Sequence, residues 1–318
     1  MPNVPVNNCM NKRIGLFFLL LCNLWFAKNN GYGLPILGLG SSSFLDGGPL
    51  RQIPGWYGQI YNQFYTTHRF LDDQGKLLGG IPSPRLNNWS TALQFIYLSQ
   101  KDFLGLGNVG FDITLPITLY SRVENNLLGI TDSGSGFGDL IFGVFVQAKA
   151  IFKNEQPFYV HRLEFAFSVP NGKNKLPLKT INPGNGVFFL DPYWSATLYF
   201  TPRFSASWRL HYLWVSANHK IHLKAGDAIH GNYAFEYAFT EQLYLGINGY
   251  FLQQIKDNRL NGIKIPDNRE RVLGIGFGGL YSFKRRFASV LIANFFWETA
   301  VRNRPQGFKF LLRYLRHF

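Results

Sequence analysis

Apolar and polar residues alternate one by one in several long segments of the chain. The segments 162–169 (RLEFAFSV), 204–214 (FSASWRLHYLW) and 232–239 (NYAFEYAF) each have an apolar side chain at every second position. A period of two places these side chains on one face of a β-strand. Many of the runs cover about 10 residues, which is close to the length that a tilted strand needs to cross a lipid bilayer.

The connections between these runs alternate between long and short. The long ones are residues 68–85, 121–136, 170–186, 218–227 and 256–268, and the short ones are residues 99–102, 153–157, 201–202, 240–241, 284–285 and 303–306. Bacterial outer-membrane barrels have short periplasmic turns, longer extracellular loops and an even strand number. We therefore predict an all-β chain: a single transmembrane antiparallel barrel of about 12 strands over residues 57–318, with both ends on one side. A soluble β-sandwich is the alternative, but it would not need faces this aromatic.

The last twelve residues, 307–318 (GFKFLLRYLRHF), fit two secondary structures. As a helix they would be basic and amphipathic, a type that lies on membrane surfaces. As a strand they would place Phe308, Phe310, Leu312, Tyr314 and Phe318 on one face. The strand would be the last of the barrel, closing against the first near residues 57–67, and the short turn before it favours this interpretation.

Composition supports strands with one apolar and one polar face. Aromatic residues make up 17% of the 318-residue chain, whereas charged residues make up 16%, below the roughly 25% of soluble domains. The mean hydropathy is nevertheless −0.05. After the N-terminal leader, no stretch reaches the roughly 18 consecutive apolar residues of a transmembrane helix. A membrane location would therefore require a closed barrel.

The N-terminus has the features of a secretory signal peptide, which we assign to residues 1–27. Lys12 and Arg13 precede an apolar core, residues 14–27 (IGLFFLLLCNLWFA). An uncleaved membrane anchor is the alternative. Both cysteines, Cys9 and Cys22, lie in this leader, so the mature chain would have no disulfide and no cysteine nucleophile.

Residues 28–56 are rich in glycine and serine and are predicted to form a flexible N-terminal arm. A periplasmic linker is the simpler interpretation, and a plug in the barrel lumen is the second.

The polar faces of the predicted strands would line the lumen. Eight of their residues are candidates for contact with a solute: Asp112, Asp139, Arg162, Glu164, Arg209, His211, Glu236 and Arg313. Acids and bases are mixed there, so structural ion pairs across strands are the alternative to a selectivity lining. Most of the net charge of +14 comes from loops, turns and the leader, and a cationic rim would attract anions or anionic lipid headgroups.

Residues for catalysis or metal binding are sparse. Ser207 and His211 share one strand face but lie about 13 Å apart along it, too far for a nucleophile and its base. His211 and His230 would meet on adjacent strands near Glu236, whereas a metal site at the loop histidines His219 and His222 lacks further ligands. We therefore predict no enzyme activity, no metal and no cofactor.

The segment 272–280 (VLGIGFGGL) carries glycines on one strand face. Because no helix follows, it is not a phosphate-binding loop. We expect a stripe of small residues there, where the barrel bends or a bulky group approaches.

Several segments carry a resemblance to a known family. They are residues 54–67 (PGWYGQIYNQFYTT), 134–147 (GSGFGDLIFGVFVQ), 182–202 (NPGNGVFFLDPYWSATLYFTP), 246–262 (GINGYFLQQIKDNRLNG), 271–283 (RVLGIGFGGLYSF) and 303–307 (NRPQG). In their order and spacing they resemble the outer-membrane proteins grouped as "MetA-pathway of phenol degradation". The resemblance implies a β-barrel in the outer membrane of a Gram-negative bacterium, in contact with outer-membrane lipids.

The resemblance also implies a role for the chain end. The barrel-assembly machinery would recognise a C-terminal signal that includes Phe318, Tyr314 and Leu312. One residue departs from the usual pattern, because Arg316 stands where an apolar side chain is common; its stem can lie along apolar surface with the charge in water.

We expect a passive channel for small molecules, with apolar or aromatic solutes as candidates. A structural or adhesive barrel that transports nothing is the alternative, and a barrel lipid hydrolase is less favoured. No nucleic acid partner is expected.

Overall fold

The computed structural model describes residues 34–35, 38–50, 53–78, 84–125, 130–175, 179, 181–283 and 289–318. The predicted signal peptide and both cysteines lie outside these ranges, so the signal peptide stays a prediction. Among the described residues, no helix is long and apolar enough to cross a bilayer.

Twelve antiparallel strands form a closed barrel, which confirms the predicted fold class. The strands are β1 Gly55–Phe70, β2 Arg85–Asp102, β3 Gly107–Asn125, β4 Leu140–Ala148, β5 Gln156–Val169, β6 Tyr193–Tyr199, β7 Phe204–Val215, β8 Ala228–Ala238, β9 Leu243–Gln254, β10 Arg271–Ser282, β11 Ser289–Arg302 and β12 Pro305–His317. Each strand pairs with the next along the chain. The two-residue strand Phe189–Leu190 pairs with β5 and β7, as β6 does, and Asp191 and Pro192 separate it from β6.

The chain end is a strand and not a helix. β12 pairs with β1 from Tyr57 opposite His317 to Phe70 opposite Pro305, and it pairs with β11 on its other side. The Phe318 N–H donates to the Trp56 carbonyl at 2.9 Å, which extends the pairing by one residue. This seam closes the barrel, so that each of the twelve strands has a paired neighbour on both sides.

The strand faces alternate as the period of two predicted. In β5, Leu163 and Phe165 are 54% and 50% exposed, whereas Glu164 between them is 6% exposed. In β8, Phe235 is 51% exposed and its neighbour Ala234 is 1% exposed. The exposed large apolar side chains therefore form the outer surface, whereas the inner face carries polar and small side chains together with apolar clusters that contact the arm.

The two ends of the barrel differ in their connections. At the end where β1 begins and β12 finishes, the linking segments are residues 103–106, 149–155, 200–203, 239–242 and 283–288. The opposite end has residues 71–84, 126–139, 170–192, 216–227 and 255–270. Two of the linking segments contain further strands: Ile130–Phe137 pairs with β3, and Ile151–Lys153 pairs with β5. One connection at the opposite end breaks the alternation, because only Asn303 and Arg304 join β11 to β12. Asn303 has a φ of 51°, a left-handed conformation that asparagine tolerates better than most residues.

The long connections are themselves structured. The strands Ala217–Asn218, Leu223–Lys224, Arg259–Leu260 and Ile263–Lys264 form a separate four-stranded sheet above this end of the barrel. Asp257 accepts bonds from Arg269 at 2.6 Å and from Lys264 at 2.8 Å. Hydrogen bonding from Arg269 lowers the pKa of Asp257, so its carboxylate is ionised at neutral pH and keeps these two partners.

The described part of the N-terminal arm lies inside the barrel. Of residues 38–50, Leu39, Ser42, Ser43, Phe44 and Asp46 are all at least nine-tenths buried. Phe44 packs against Ala234, Leu280, Val290 and Ile292, and Leu39 packs in a cluster with Tyr250 and Phe296. A flexible arm and a periplasmic linker do not fit these contacts. The lumen plug, the second interpretation of the sequence, describes this segment better.

The glycine stripe of β10 makes room for bulky groups, as expected. A Cβ at Gly274 would lie 2.5 Å from the Tyr250 ring, and one at Gly276 would lie 2.8 Å from the Phe296 ring. The same two rings contact the place where the arm has Gly40, whose φ is 80°. The stripe therefore leaves room for two aromatic rings beside which the arm passes.

We predict that Gly274→Val destabilises the barrel, because its side chain would displace the buried Tyr250 ring. Overpacking of this kind costs about 1–3 kcal/mol. Urea unfolding of the refolded protein in detergent measures the loss. Ile275→Val, on the outer face of the same strand, is the control and should change the midpoint little. An unchanged midpoint for Gly274→Val would show that the Tyr250 ring can move aside without cost.

Candidate functional site

The N-terminal arm runs along one wall of the lumen and then crosses it. The Leu34 N–H lies 3.3 Å from Glu270, near the end of the barrel that carries the long loops. Leu39 contacts β9 and β11 near the same end. Phe44 lies closer to the end with the short turns, near the beginning of β11. Gly47 reaches the opposite side, where a Cβ would lie 2.3 Å from the Val160 carbonyl oxygen. The arm thus covers most of the height of the barrel before it joins β1.

Polar side chains of the wall satisfy the backbone of the arm. Asn232 accepts the Gly40 N–H at 2.8 Å and donates to the Ser42 hydroxyl at 2.8 Å. Lys309 donates to the Leu39 carbonyl at 2.8 Å. Thr197 accepts the Gly47 N–H at 2.9 Å, and Gln147 donates to the Gly47 carbonyl at 2.9 Å. An extended segment without secondary structure can be buried here because the wall supplies the partners that it lacks.

One ion pair fixes the arm to the wall. The Arg209 guanidinium donates two hydrogen bonds to the Asp46 carboxylate, from Nη2 at 2.6 Å and from Nε at 2.9 Å. Parallel bonds of this kind are stronger and more directional than a single contact. The same guanidinium lies 4.2 Å from the centre of the Tyr193 ring. Arg209, predicted as a solute contact, thus holds the arm.

A row of hydrogen bonds follows the wall that the arm leaves free. Arg313 donates to Gln59 at 2.6 Å, and Tyr61 donates to Gln94 at 2.8 Å. Gln94 in turn donates to Asp112 at 2.9 Å. These side chains come from β12, β1, β2 and β3, so the row crosses four strands at one level. It offers a neutral face of amide and phenol groups with a charge at each end.

Acidic side chains converge at the end of this row. A Cβ at Gly143 would lie 2.5 Å from the Glu164 Oε1 atom and 2.7 Å from the Asp112 Oδ2 atom, so only glycine leaves room for both carboxylates. Glu164 also accepts a short bond from the Tyr193 hydroxyl and lies 3.8 Å from Arg162. Asp112, Arg162 and Glu164, three of the predicted lumen residues, therefore meet in one group.

Two histidines and an aspartate form a second group beside Tyr193. The rings of His211 and His230 stack with their centres 4.1 Å apart. Asp191 bonds both, to His211 Nδ1 at 3.1 Å and to His230 Nε2 at 3.0 Å. The predicted meeting of the histidines is correct, but their acidic neighbour is Asp191.

Two other predicted lumen residues have structural partners. Glu236 accepts bonds from Ser207 at 2.6 Å, from Ser205 at 3.1 Å and from the Leu45 N–H of the arm at 3.2 Å. Asp139 accepts the N–H groups of Gly172 at 2.8 Å and Asn185 at 2.6 Å, which places it at the base of a long loop.

The sequence did not reveal two kinds of residue: those on the arm, and those at breaks between strands. Asp46 lies 163 positions from Arg209, and nothing local marks it as the partner. Asp191 precedes a proline between two short strands, where no period of two is visible. Gln59, Gln94 and Gln147 alternate correctly with apolar neighbours, so attention to neutral polar positions could have found them.

A closed antiparallel barrel with an apolar exterior and a polar interior is the fold of outer-membrane β-barrel proteins. The chain belongs to the family described as "MetA-pathway of phenol degradation", whose model matches residues 67–314. This confirms the resemblance given by the sequence segments.

Solved structures show the same fold. The COG4313 outer membrane channel from Pseudomonas putida F1 is 16% identical, with a TM-score of 0.72 over 84% of this chain and 97% of that one. The transport unit of the autotransporter AIDA-I from Escherichia coli is 9% identical, with a TM-score of 0.50 over 93% of this chain and 97% of that one. No curated protein sequence matched the chain.

We predict that Asp46→Asn loosens the arm, because it leaves the Arg209 guanidinium without its counter-charge. The expected cost is about 1–3 kcal/mol of docking free energy. A thiol at Ser41→Cys reports the change, since a refolded chain from residue 28 onward has no other cysteine. Its labelling by a maleimide should become faster in the Asp46→Asn background.

Lys149→Gln is the control, since it removes an ion pair with Asp102 whose lysine side chain is 63% exposed. Exposed pairs contribute little. Equal labelling rates in all three backgrounds would mean that the Asp46–Arg209 pair does not hold the arm.

Proposed function

We propose that this protein is a passive outer-membrane channel for small molecules. The observation that carries the proposal is the one-sided position of the arm: its described residues, 38–50, cover one wall of the lumen and leave the other accessible. The similarity in fold to the COG4313 outer membrane channel supports it.

The difference between the two walls is visible in the exposure of inward-facing side chains. On the covered wall, Asn232, Ala234, Glu236, Asn248, Tyr250, Asn294 and Phe296 are each at most 4% exposed. On the free wall, Tyr61, Gln63, Tyr65, Ser90, Ala92 and Gln94 are only partly buried. Because inward-facing side chains of a closed barrel are exposed only to its lumen, the remaining space lies against β1 and β2.

The lining of this space favours neutral solutes with aromatic or polar groups. Tyr61 and Tyr65 offer ring faces, and Gln63 offers an amide. The two tyrosine hydroxyls and the Gln94 amide already bond other side chains of the wall. The family description, which refers to phenol degradation, agrees with this class of solute. A planar molecule with a hydroxyl group could stack on a tyrosine and exchange hydrogen bonds with a glutamine.

We propose no catalytic step for the lumen. Ser207, the candidate nucleophile, donates to Glu236 at 2.6 Å and lies 2.8 Å from the Thr197 hydroxyl. Its hydroxyl therefore bonds an acid and a threonine, whereas His211 Nδ1 and His230 Nε2 bond Asp191.

Single-channel recording in planar bilayers tests the channel. The wild-type protein should conduct, and Ala92→Trp should reduce the conductance severalfold, because the indole would enter the free part of the lumen. Leu93→Trp is the matched control: Leu93 pairs with the outward-facing Ile60, so its indole would meet lipid and leave the current unchanged. A wild-type barrel that passes neither ions nor phenol in liposome uptake assays would contradict the proposal and favour the structural or adhesive role.

We further propose that the C-terminal strand carries the assembly signal, with Phe318, Tyr314 and Leu312 on its outer face. Phe318 is 71% exposed, and its ring packs beside Gly58 at the barrel seam. Deletion of Phe318 should lower the amount of folded protein in the outer membrane severalfold without changing the conductance of each assembled barrel.

Quantitative blotting of outer-membrane fractions measures the amount. Phe310→Leu removes an aromatic side chain from the same face farther from the end, and it serves as the control. Normal membrane levels after deletion of Phe318 would exclude it as the signal.

A further inference from the structure

We propose that Asp191, His211 and His230 form a binding site for a divalent transition-metal ion of the Zn²⁺ class inside the barrel. Two imidazoles and one carboxylate are a common ligand set for such ions. The site does not depend on the proposed transport function, since it rests on three side chains of the wall.

The three ligand atoms converge within a small volume. With one donor atom taken from each residue, the three atoms lie within 4.8 Å of one another. Zinc binds imidazole nitrogen and carboxylate oxygen at about 2.0–2.2 Å in a tetrahedral arrangement, so neighbouring ligand atoms lie about 3.3 Å apart. The Asp191 Oδ2 atom lies 3.1 Å from His211 Nδ1, and its Oδ1 atom lies 3.0 Å from His230 Nε2. Because the donor atoms lie within 4.8 Å of one another and the two imidazole rings are stacked, binding an ion requires side-chain movements of up to about 1.5 Å and a rotation of the rings that turns their nitrogens toward the ion.

The backbone holds the three residues in place before any ion binds. His211 and His230 face each other directly across the β7–β8 pair. The Asp191 N–H donates to the Ala166 carbonyl of β5 at 2.8 Å, and the next residue, Pro192, accepts the Tyr212 N–H of β7 at 3.1 Å. A site spread over three neighbouring segments with fixed backbones loses little conformational entropy when it binds an ion.

Burial and charge also favour a cation. The exposed fractions of the Asp191, His211 and His230 side chains are 12%, 10% and 5%. The nearest guanidinium, that of Arg209, is neutralised by its bidentate pair with Asp46. Glu164 lies on the far side of Tyr193, whose ring centre is 4.9 Å from that of His211. The imidazoles select against Ca²⁺ and Mg²⁺, which prefer oxygen ligands.

The test uses the full chain purified in detergent without a polyhistidine tag and stripped with a chelator. Co²⁺ serves as the spectroscopic probe, because it replaces Zn²⁺ and absorbs visible light strongly when tetrahedral. We expect one Co²⁺ per chain, displaced by Zn²⁺ but not by Mg²⁺. Isothermal titration with Zn²⁺ should give the same stoichiometry.

Asp191→Asn and His230→Gln should each weaken the affinity at least tenfold, while His219→Gln together with His222→Gln, in a long loop, should leave it unchanged. The heat-dependent shift of the barrel on a denaturing gel shows whether each variant is folded. The Asn side chain preserves the shape of Asp191, so at least this variant should fold. A wild-type protein that does not bind Co²⁺, or folded Asp191→Asn and His230→Gln variants that bind it as well as wild type, would overturn the proposal.

Discussion

Closure of the sheet is the constraint on which the rest of the structure depends. Every backbone group of a strand in lipid needs a partner within the protein, and a barrel provides it only when its first and last strands pair. Here β1 and β12 meet this demand along most of their length. Once the barrel is closed, each side chain has only two environments, the lipid and the lumen. The alternating pattern of the sequence is the direct consequence.

The arm supplies hydrogen-bond partners for the polar residues on the inner wall of the closed barrel. A barrel with buried polar residues on its inner wall must give them partners, and a glycine- and serine-rich segment without secondary structure has free backbone groups of its own. Asn232, Thr197 and Gln147 pair with the arm, and Asp46 pairs with Arg209. Wall and arm therefore satisfy each other, which explains how the segment can be both irregular and buried.

The sequence predicted the barrel well because its signal is local. In 162–169 each residue indicates its own face, and the lengths of the connections distinguish the two ends of the barrel. The helical alternative for residues 307–318 could be rejected because a short turn precedes them. In contrast, the position of the arm follows from contacts between residues 100 or more positions apart, such as Gly47 with Gln147. The charged lumen residues were found, but their partners were not, because Asp191 and Asp46 lie outside any regular strand.

The pairing of charges in the lumen bears on what the channel would select. Arg209 forms an ion pair with Asp46, and Lys309 donates to the Leu39 carbonyl. Arg162 donates to Gln147 and lies 3.8 Å from Glu164. Cations that are paired in this way attract a passing anion only weakly, because their partners offset their charge. The cationic residues of the loops can still concentrate anions near the mouth. The free wall of the lumen, in contrast, consists mainly of tyrosine, glutamine and serine side chains. Selection inside the barrel would therefore depend on hydrogen-bond geometry and ring stacking more than on net charge.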